Sequence, residues 1–323
     1  MKGKIITLIL LISFGSTLAQ NLITSDLENF KKAYNLLSNS TSKSDSLDII
    51  TQNLLNKASP VFQEYLSGKK ISKEQIAERY FYALDHYPKY YASVIKYSEI
   101  FSDPSQIAKI ENAYKRLKRV YPTAKLRPNA ICIGFMDDGG QSLFSGQYIG
   151  IEVTACSNGF DLSELDQRLL SYFGECKGDL PKIDETITHE LVHLSQFKPI
   201  DPIAFGKNFN GTIKFIPLLS EGGASFVTDY LFNFKASVFS KQQLEFCSAN
   251  EEKLWQQFLS DDNFNPYFKG IHPKYNIPQI GYYLGYQVCK SYFNKSKNKK
   301  KAIKDIIEVN DWDRFVLKSG YFY

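Results

Sequence analysis

One segment constrains this chain more than any other: residues 186–196, with the sequence TITHELVHLSQ. It carries the pattern H-E-x-x-H at His189, Glu190 and His193, and its apolar residues recur at helical spacing. In a helix, residues four apart lie on one face about one turn apart, so both imidazoles can point at one metal ion. Glu190 is poorly placed to be a third ligand from the same turn, but it can take a proton from a metal-bound water. The segment therefore predicts a helix that supplies two ligands of a metal site.

A metal site of this kind needs a third protein ligand and keeps a fourth position for water. We expect the third ligand on a second helix downstream, where Glu221 lies close to the start of the sequence LLSEGGASFVTDYL. Glycine inside a helix is unfavourable by ~1 kcal/mol relative to alanine, so Gly222 and Gly223 indicate a close approach to the first helix. The sequence thus predicts two closely packed helices that share one metal ion.

The segments H-E-L-V-H and, in the second helix, E-G-G-A-S-F together resemble the gluzincin metallopeptidases. The chain looks closest to exported bacterial proteins described as predicted zinc-dependent proteases, over residues 130–293. This resemblance implies a zincin-like core in which His189, His193 and Glu221 bind Zn²⁺ and Glu190 is the general base.

One position departs from the gluzincin pattern. Many gluzincins place an aspartate four residues after the ligand glutamate, where it orients a ligand histidine, and this chain has Ser225 there. Asp229 lies two turns beyond Glu221 on a similar helix face, so it is a candidate substitute; an ordinary surface aspartate is the alternative.

Residues 1–19 have the composition of a secretory signal peptide. Two lysines precede an apolar run at 5–14, which is short for a bilayer span, and small residues lead up to Ala19. We expect cleavage before Gln20 and a mature protein that is secreted, periplasmic or part of the cell envelope; an uncleaved membrane anchor is the alternative. No second long apolar segment follows, so we expect no membrane span in the mature chain.

Composition narrows the class of protein further. The formal net charge of +5 includes Lys2 and Lys4, so the mature chain has 39 − 2 = 37 basic residues against 34 acidic ones, or +3. This small excess favours no particular partner, and we expect no nucleic acid partner. With 43% hydrophobic and 15% aromatic residues, the chain can bury a large core, which excludes a generally disordered protein.

The five cysteines do not form a metal-binding pattern. They are Cys132, Cys156, Cys176, Cys247 and Cys289, and no two of them are spaced as C-x-x-C. Cysteine ligands for zinc are therefore disfavoured, which leaves histidine and carboxylate. If one disulfide forms, we expect it between Cys156 and Cys176; Cys132 lies in an apolar run and is expected to be a buried thiol.

The fold class predicted is α+β and predominantly helical, with a small sheet over the H-E-x-x-H helix. We expect an N-terminal helical region at 20–120 and a zincin-like catalytic region with C-terminal helices at 121–323, either as two regions or as one continuous domain. Residues 130–135 and 148–153 are expected to be strands joined by a glycine-rich hairpin turn. Zincins place an antiparallel edge strand above the zinc, and residues 148–153 are our candidate for it.

The C-terminal part is expected to return to helix at 242–259, 278–293 and 301–317. The middle helix contains IGYYLGYQV, in which glycine-tyrosine pairs repeat at four residues. Tight packing through the glycines, with the tyrosines in the core, is one reading. In the other, which follows from the gluzincin resemblance, Tyr282 or Tyr286 stabilises the oxyanion of the reaction, with His272 a weaker contender.

These observations predict a secreted zinc metallopeptidase that acts on a peptide or protein substrate. Zn²⁺ polarises the scissile carbonyl and acidifies a water molecule, and Glu190 moves the proton. Two alternatives are open from sequence: a cell-envelope interaction protein that keeps the zincin fold without catalysis, and a zinc hydrolase of a non-peptide amide or ester. The complete H-E-x-x-H pattern favours catalysis over the first alternative, and ligand residues do not distinguish the second.

Overall fold

The computed structural model describes residues 22–155, 159–167, 169–170, 183–196, 213–236 and 238–321. Within them the chain is mainly helical, with a mixed four-stranded sheet and a two-stranded one, which confirms the predicted predominantly helical α+β class. The predicted signal peptide and the predicted pair Cys156–Cys176 lie outside the described residues. Cys132 is a buried free thiol, as predicted, and so are Cys247 and Cys289. No helix in the described ranges has the length and apolarity that a membrane crossing requires.

The N-terminal part is a series of six helices, several of which begin at a side-chain cap. The side chains of Ser42, Ser59 and Ser72 accept hydrogen bonds from backbone N–H groups in the first turns of the second, third and fourth helices. A proline starts the fifth and separates it from the fourth, because proline suits a first turn and disrupts a helix interior. The helices are α1 (Ser25–Leu37), α2 (Lys43–Asn53), α3 (Pro60–Gly68), α4 (Lys73–His86), α5 (Pro88–Tyr97) and α6 (Pro104–Val120).

The four-stranded sheet packs against the N-terminal helices. Its strands are β1 (Leu22–Ile23), β2 (Asn129–Cys132), β3 (Gly140–Ser142) and β4 (Gln147–Gly150), in the spatial order β1-β2-β4-β3. β1, β2 and β4 are mutually parallel, and β3 pairs antiparallel with β4. Helix α1 packs against β2, so the N-terminal region and the sheet share one buried core.

The predicted hairpin between 130–135 and 148–153 was wrong. Those segments contain β2 and β4, which are parallel neighbours; the hairpin joins β3 to β4 instead. The expected edge strand at 148–153 is an interior strand over Gln147–Gly150, and its remainder forms the short helix α7 (Ile151–Thr154). Both β2 and β4 are buried along their whole length, so their sequences lack the alternation that identifies an edge strand.

The rest of the described chain is mostly helical. The predicted stretches 242–259 and 301–317 are helical but each is divided, at Asn250 and before Asp311, whose side chain caps the next helix. The elements are α8 (Ile183–Gln196), α9 (Phe215–Leu231), α10 (Lys241–Ala249), α11 (Glu251–Ser260), β5 (Ile271–His272), β6 (Ile277–Pro278), α12 (Ile280–Lys295), α13 (Lys299–Ile307) and α14 (Trp312–Ser319).

Helices α9 and α12 approach each other at two glycines. A Cβ atom on Gly285 would lie 1.9 Å from the carbonyl oxygen of Leu218, and one on Gly222 would lie 2.2 Å from the carbonyl carbon of Gly285. No side chain fits in either place. Gly222 was expected to face the H-E-x-x-H helix, but it faces α12. Glu221 is the residue before Gly222, so it lies at this crossing of α9 and α12.

Candidate metal centre

Helix α8 confirms the helix predicted around the H-E-x-x-H pattern, and its apolar residues explain its orientation. Ile187, Leu191 and Leu194 recur at spacings of three and four and are all buried in the core. Packing of this apolar face leaves His189 and His193 on a common face that looks toward α9. The same arrangement directs the two imidazoles at the side chain of Glu221.

The three predicted ligands meet at one point. Nε2 of His193 lies 3.0 Å from Nε2 of His189 and 3.1 Å from Oε2 of Glu221, and the His189 Nε2 to Glu221 Oε2 distance is 3.4 Å. Among the described residues, this is the group of three or more potential ligands that could hold a metal ion.

These distances fit a zinc ion. Ligand atoms that each lie ~2.0–2.1 Å from a tetrahedral zinc are separated by about 3.3 Å. The two imidazole nitrogens also need a proton or a cation between them, because two nitrogen lone pairs 3.0 Å apart repel. Two imidazoles and one carboxylate are a donor set that zinc accepts readily, with a position left for water.

The electrostatics of the group favour a cation. Burial acts to lower the pKa of His193, but the charge of Glu221 and its hydrogen bond outweigh burial and raise that pKa to about 9. Burial acts to raise the pKa of Glu221, and the charge of His193 with hydrogen bonds from both histidines holds it well below its usual range. The pocket therefore keeps an ionised carboxylate and attracts positive charge, either a proton or a metal ion.

Glu190 lies under the edge strand β3. Its side chain is buried, and Ser142 Oγ lies 3.0 Å from its Oε2 and 2.9 Å from its backbone oxygen. A Cβ on Gly140 would lie 2.7 Å from Oε1 of Glu190, so a side chain at this position would displace the carboxylate from where it now lies. The charge of Glu190 also contributes to the raised pKa of His193, which places it beside the ligand group.

The predicted tyrosines have different surroundings. The ring of Tyr282 lies parallel to that of His189, with the ring centroids 6.3 Å apart. Tyr286 is buried, and its hydroxyl donates a hydrogen bond of 2.6 Å to Asp229. His272 is buried in β5 and accepts a hydrogen bond at Nδ1 from the Lys274 backbone. Of these candidates, the structure brings Tyr282 next to a ligand histidine.

Comparison with protein-family models, with curated proteins and with solved structures found no match to this chain. The functional interpretation therefore rests on the arrangement of the residues themselves. The resemblance to gluzincins rests on two short segments of the sequence.

The structure adds residues that the sequence analysis missed. Asp229 was a candidate partner for a ligand histidine, but it accepts hydrogen bonds from Tyr286 and from the backbone of Ala236. The shorter contact to Nδ1 of His193 comes from Gln196, whose Oε1 lies 2.8 Å away, and Ser220 Oγ lies 3.4 Å from the same nitrogen. The available signal was spacing: Gln196 is three residues after His193 and so lies on the same helix face.

Proposed function

We propose that this protein is a zinc-dependent peptidase in which His189, His193 and Glu221 bind the metal and Glu190 is the general base. The observation that carries the proposal is the convergence of three ligand atoms within 3.0–3.4 Å, one from a residue adjacent to Glu190 in α8. A binding site for zinc alone would not require a carboxylate buried beside the ligands and held by a strand.

Bound zinc would polarise a substrate carbonyl and make a water molecule a better nucleophile at neutral pH. Glu190 would take the proton of the attacking water and deliver it to the leaving amine, so that one carboxylate serves as base and then as acid. Ser142 supports this role because its hydroxyl fixes one carboxylate oxygen of Glu190. Tyr282 is our candidate for stabilising negative charge on the carbonyl oxygen, because its ring lies beside that of His189.

A peptide is the substrate that the strand arrangement favours. β3 pairs with β4 along one side only within the described sheet, and Ser142 at its end contacts Glu190. An extended peptide can pair with such a strand through backbone hydrogen bonds, which would lay a peptide bond across the ligand group. The same ligands also suit a non-peptide amide or ester, so the choice of peptide rests on this strand. The signal-peptide pattern supports action outside the cytoplasm.

The test is metal-dependent hydrolysis of an unstructured protein such as casein. We expect the mature chain to carry about one zinc ion, to lose hydrolysis on treatment with a chelator and to regain it when zinc is returned. A serine-directed reagent should have no effect, because no acyl-enzyme forms. A folded chain that binds no zinc after reconstitution would overturn the proposal. Zinc binding without hydrolysis of any peptide, amide or ester would favour an interaction protein on the same fold.

A further inference from the structure

Gln196 is the last residue of α8, and both ends of its side-chain amide have partners. Its Oε1 lies 2.8 Å from Nδ1 of His193, and its Nε2 lies 3.1 Å from the backbone oxygen of Ser220. Ser220 directly precedes Glu221 in α9. One amide therefore connects a ligand histidine on the first helix with the backbone next to the ligand carboxylate on the second.

The direction of these hydrogen bonds follows from the backbone oxygen of Ser220, the one group among them that can only accept. The backbone oxygen of Ser220 only accepts hydrogen bonds, so the amide NH₂ of Gln196 must face it. The carbonyl Oε1 of the same amide then faces His193, and Nδ1 of that imidazole must carry the proton. In the neutral imidazole, the form that binds a metal ion, Nε2 of His193 then has the lone pair, and Nε2 is the nitrogen that faces His189 and Glu221. A backbone carbonyl on α9 thus determines which nitrogen of His193 is free to bind a metal.

Two neighbours keep the amide in place. Ser220 Oγ lies 3.3 Å from Gln196 Oε1 and can donate to it, which adds a second bond to the same acceptor. A Cβ on Gly223 would lie 3.1 Å from Nε2 of Gln196, closer than most Cβ contacts, so glycine gives the amide room to lie against α9. The two successive glycines of α9 therefore make room for different neighbours: Gly222 for the backbone of α12, and Gly223 for the side chain of Gln196.

We propose that Gln196 is the positioning residue of the metal site, which fixes the Nδ1–H form of His193 and sets its imidazole against Glu221. The proposal rests on the proposed metal site, but not on peptide hydrolysis. It assigns to a neutral amide on the first helix the role that the gluzincin resemblance would give to an aspartate on the second. A tie between α8 and α9 that only stabilises the fold is the competing explanation.

The test compares zinc binding by the full mature chain and by Gln196→Met and Gln196→Glu. Methionine keeps the length of the side chain but removes the acceptor, whereas glutamate keeps an acceptor for the Nδ1 proton. Gln63→Leu is the matched control, because Gln63 also makes an amide hydrogen bond to a backbone oxygen, that of Ala58 at 2.7 Å, and the ligands do not contact it. Affinity is measured by competition with a chromophoric chelator at a fixed pH.

We expect Gln196→Met to weaken zinc binding by roughly ten- to a hundredfold, and Gln196→Glu and Gln63→Leu to stay within about threefold of the parent. Equal affinity in Gln196→Met and the parent would overturn the proposal, and so would equal losses in the methionine and glutamate variants. If the parent itself binds no zinc, the proposed function fails instead.

A second measurement separates positioning from a purely structural role. In zinc-loaded protein with ¹⁵N-labelled histidine, the Nδ1 proton of His193 should exchange slowly with solvent, because Gln196 accepts it. We expect exchange to be at least about tenfold faster in Gln196→Met and little changed in Gln196→Glu. Should the methionine variant fold poorly, the folded glutamate variant decides alone: rapid exchange of this proton there would contradict the proposal.

Discussion

Glu152 gives the protein a pH-dependent stability that can be calculated from its surroundings. It lies in α7 directly after the sheet, and its side chain is fully buried. Among the described residues, no group makes a hydrogen bond of normal geometry to either carboxyl oxygen, and the hydroxyl of Tyr148 close by has no such partner there either. Burial raises the pKa of Glu152 to about 8, with smaller contributions from the negative charges of Asp137 and Asp138; a backbone N–H at Gly134 offsets only part of this. At neutral pH the native protein therefore keeps this carboxyl protonated.

The sign of the effect follows from proton binding. In the unfolded chain Glu152 loses its proton near its ordinary pKa of 4.5, whereas in the native protein it loses it near 8. The contribution of Glu152 to the free energy of unfolding is therefore fully present below pH 4.5 and is lost progressively as the pH rises to about 8. At 1.36 kcal/mol per pH unit the whole loss is roughly 5 kcal/mol. Relaxation around the ionised group reduces it, so we expect roughly 3–5 kcal/mol.

The assay is urea unfolding of the parent and of Glu152→Gln at several pH values from 5 to 9. Glutamine is always neutral, so the free energy of unfolding of the variant, relative to that of the parent, should rise by roughly 3–5 kcal/mol over this pH range. Taking the difference removes contributions common to both proteins, including that of His193. Glu78→Gln, at an exposed position of α4, should change little with pH. A stability difference between Glu152→Gln and the parent that stays constant from pH 5 to 9 would refute the reasoning.

Three further predictions concern the packing of α9 against α12 and the two tyrosines. Gly285→Ala should destabilise the protein by about 1–3 kcal/mol or more in thermal or urea unfolding, because its Cβ would overlap the α9 backbone. Gly68→Ala is the control and should be nearly neutral, since a Cβ there meets nothing within 4 Å. Similar losses of stability in the two variants would contradict the helix crossing. Tyr282→Phe should lower turnover by roughly a hundredfold with little loss of stability. Tyr286→Phe should instead destabilise the protein by about 1–3 kcal/mol, since Oδ2 of Asp229 loses the hydroxyl that donates to it. A loss of turnover in Tyr286→Phe and a loss of stability in Tyr282→Phe would exchange the roles of the two tyrosines.

The grouping of His189, His193 and Glu221 could be predicted from sequence because its geometry is largely local. Spacing by four residues places His189 and His193 together on any helix, and the apolar positions between them decide which way that helix faces. Glu221 needed one further step, the expectation of a second helix packed nearby. The glycines beside it supplied that step, although Gly222 contacts α12 rather than α8.

The strand next to Glu190 could not be predicted, because its glycines have more than one explanation. Gly139 and Gly140 are typical of a hairpin turn, and nothing in the sequence shows that a carboxylate lies against one of them. The structure uses Gly140 within a strand, where the missing side chain makes room for Glu190. The contacts of Gln196 could not be predicted for a related reason. A glutamine at the end of a helix is common, and the sequence does not show that its amide contacts His193 and the backbone of Ser220.

Glu190→Gln tests the central claim most directly, because it removes the proposed base while changing neither the size of the side chain nor the three ligands. Glutamine cannot accept the proton of the attacking water, and a general base contributes roughly a hundred- to ten-thousandfold in rate. Glu185→Gln, on the same helix and outside the ligand group, is the matched control.

Hydrolysis, zinc content and melting temperature are measured on the parent and on both variants. The account predicts that Glu190→Gln loses at least a hundredfold in hydrolysis while its zinc content and melting temperature stay close to those of the parent, and that Glu185→Gln keeps its activity. Zinc-loaded, folded Glu190→Gln that hydrolyses the substrate as fast as the parent would contradict the role of Glu190 and with it the proposed peptidase.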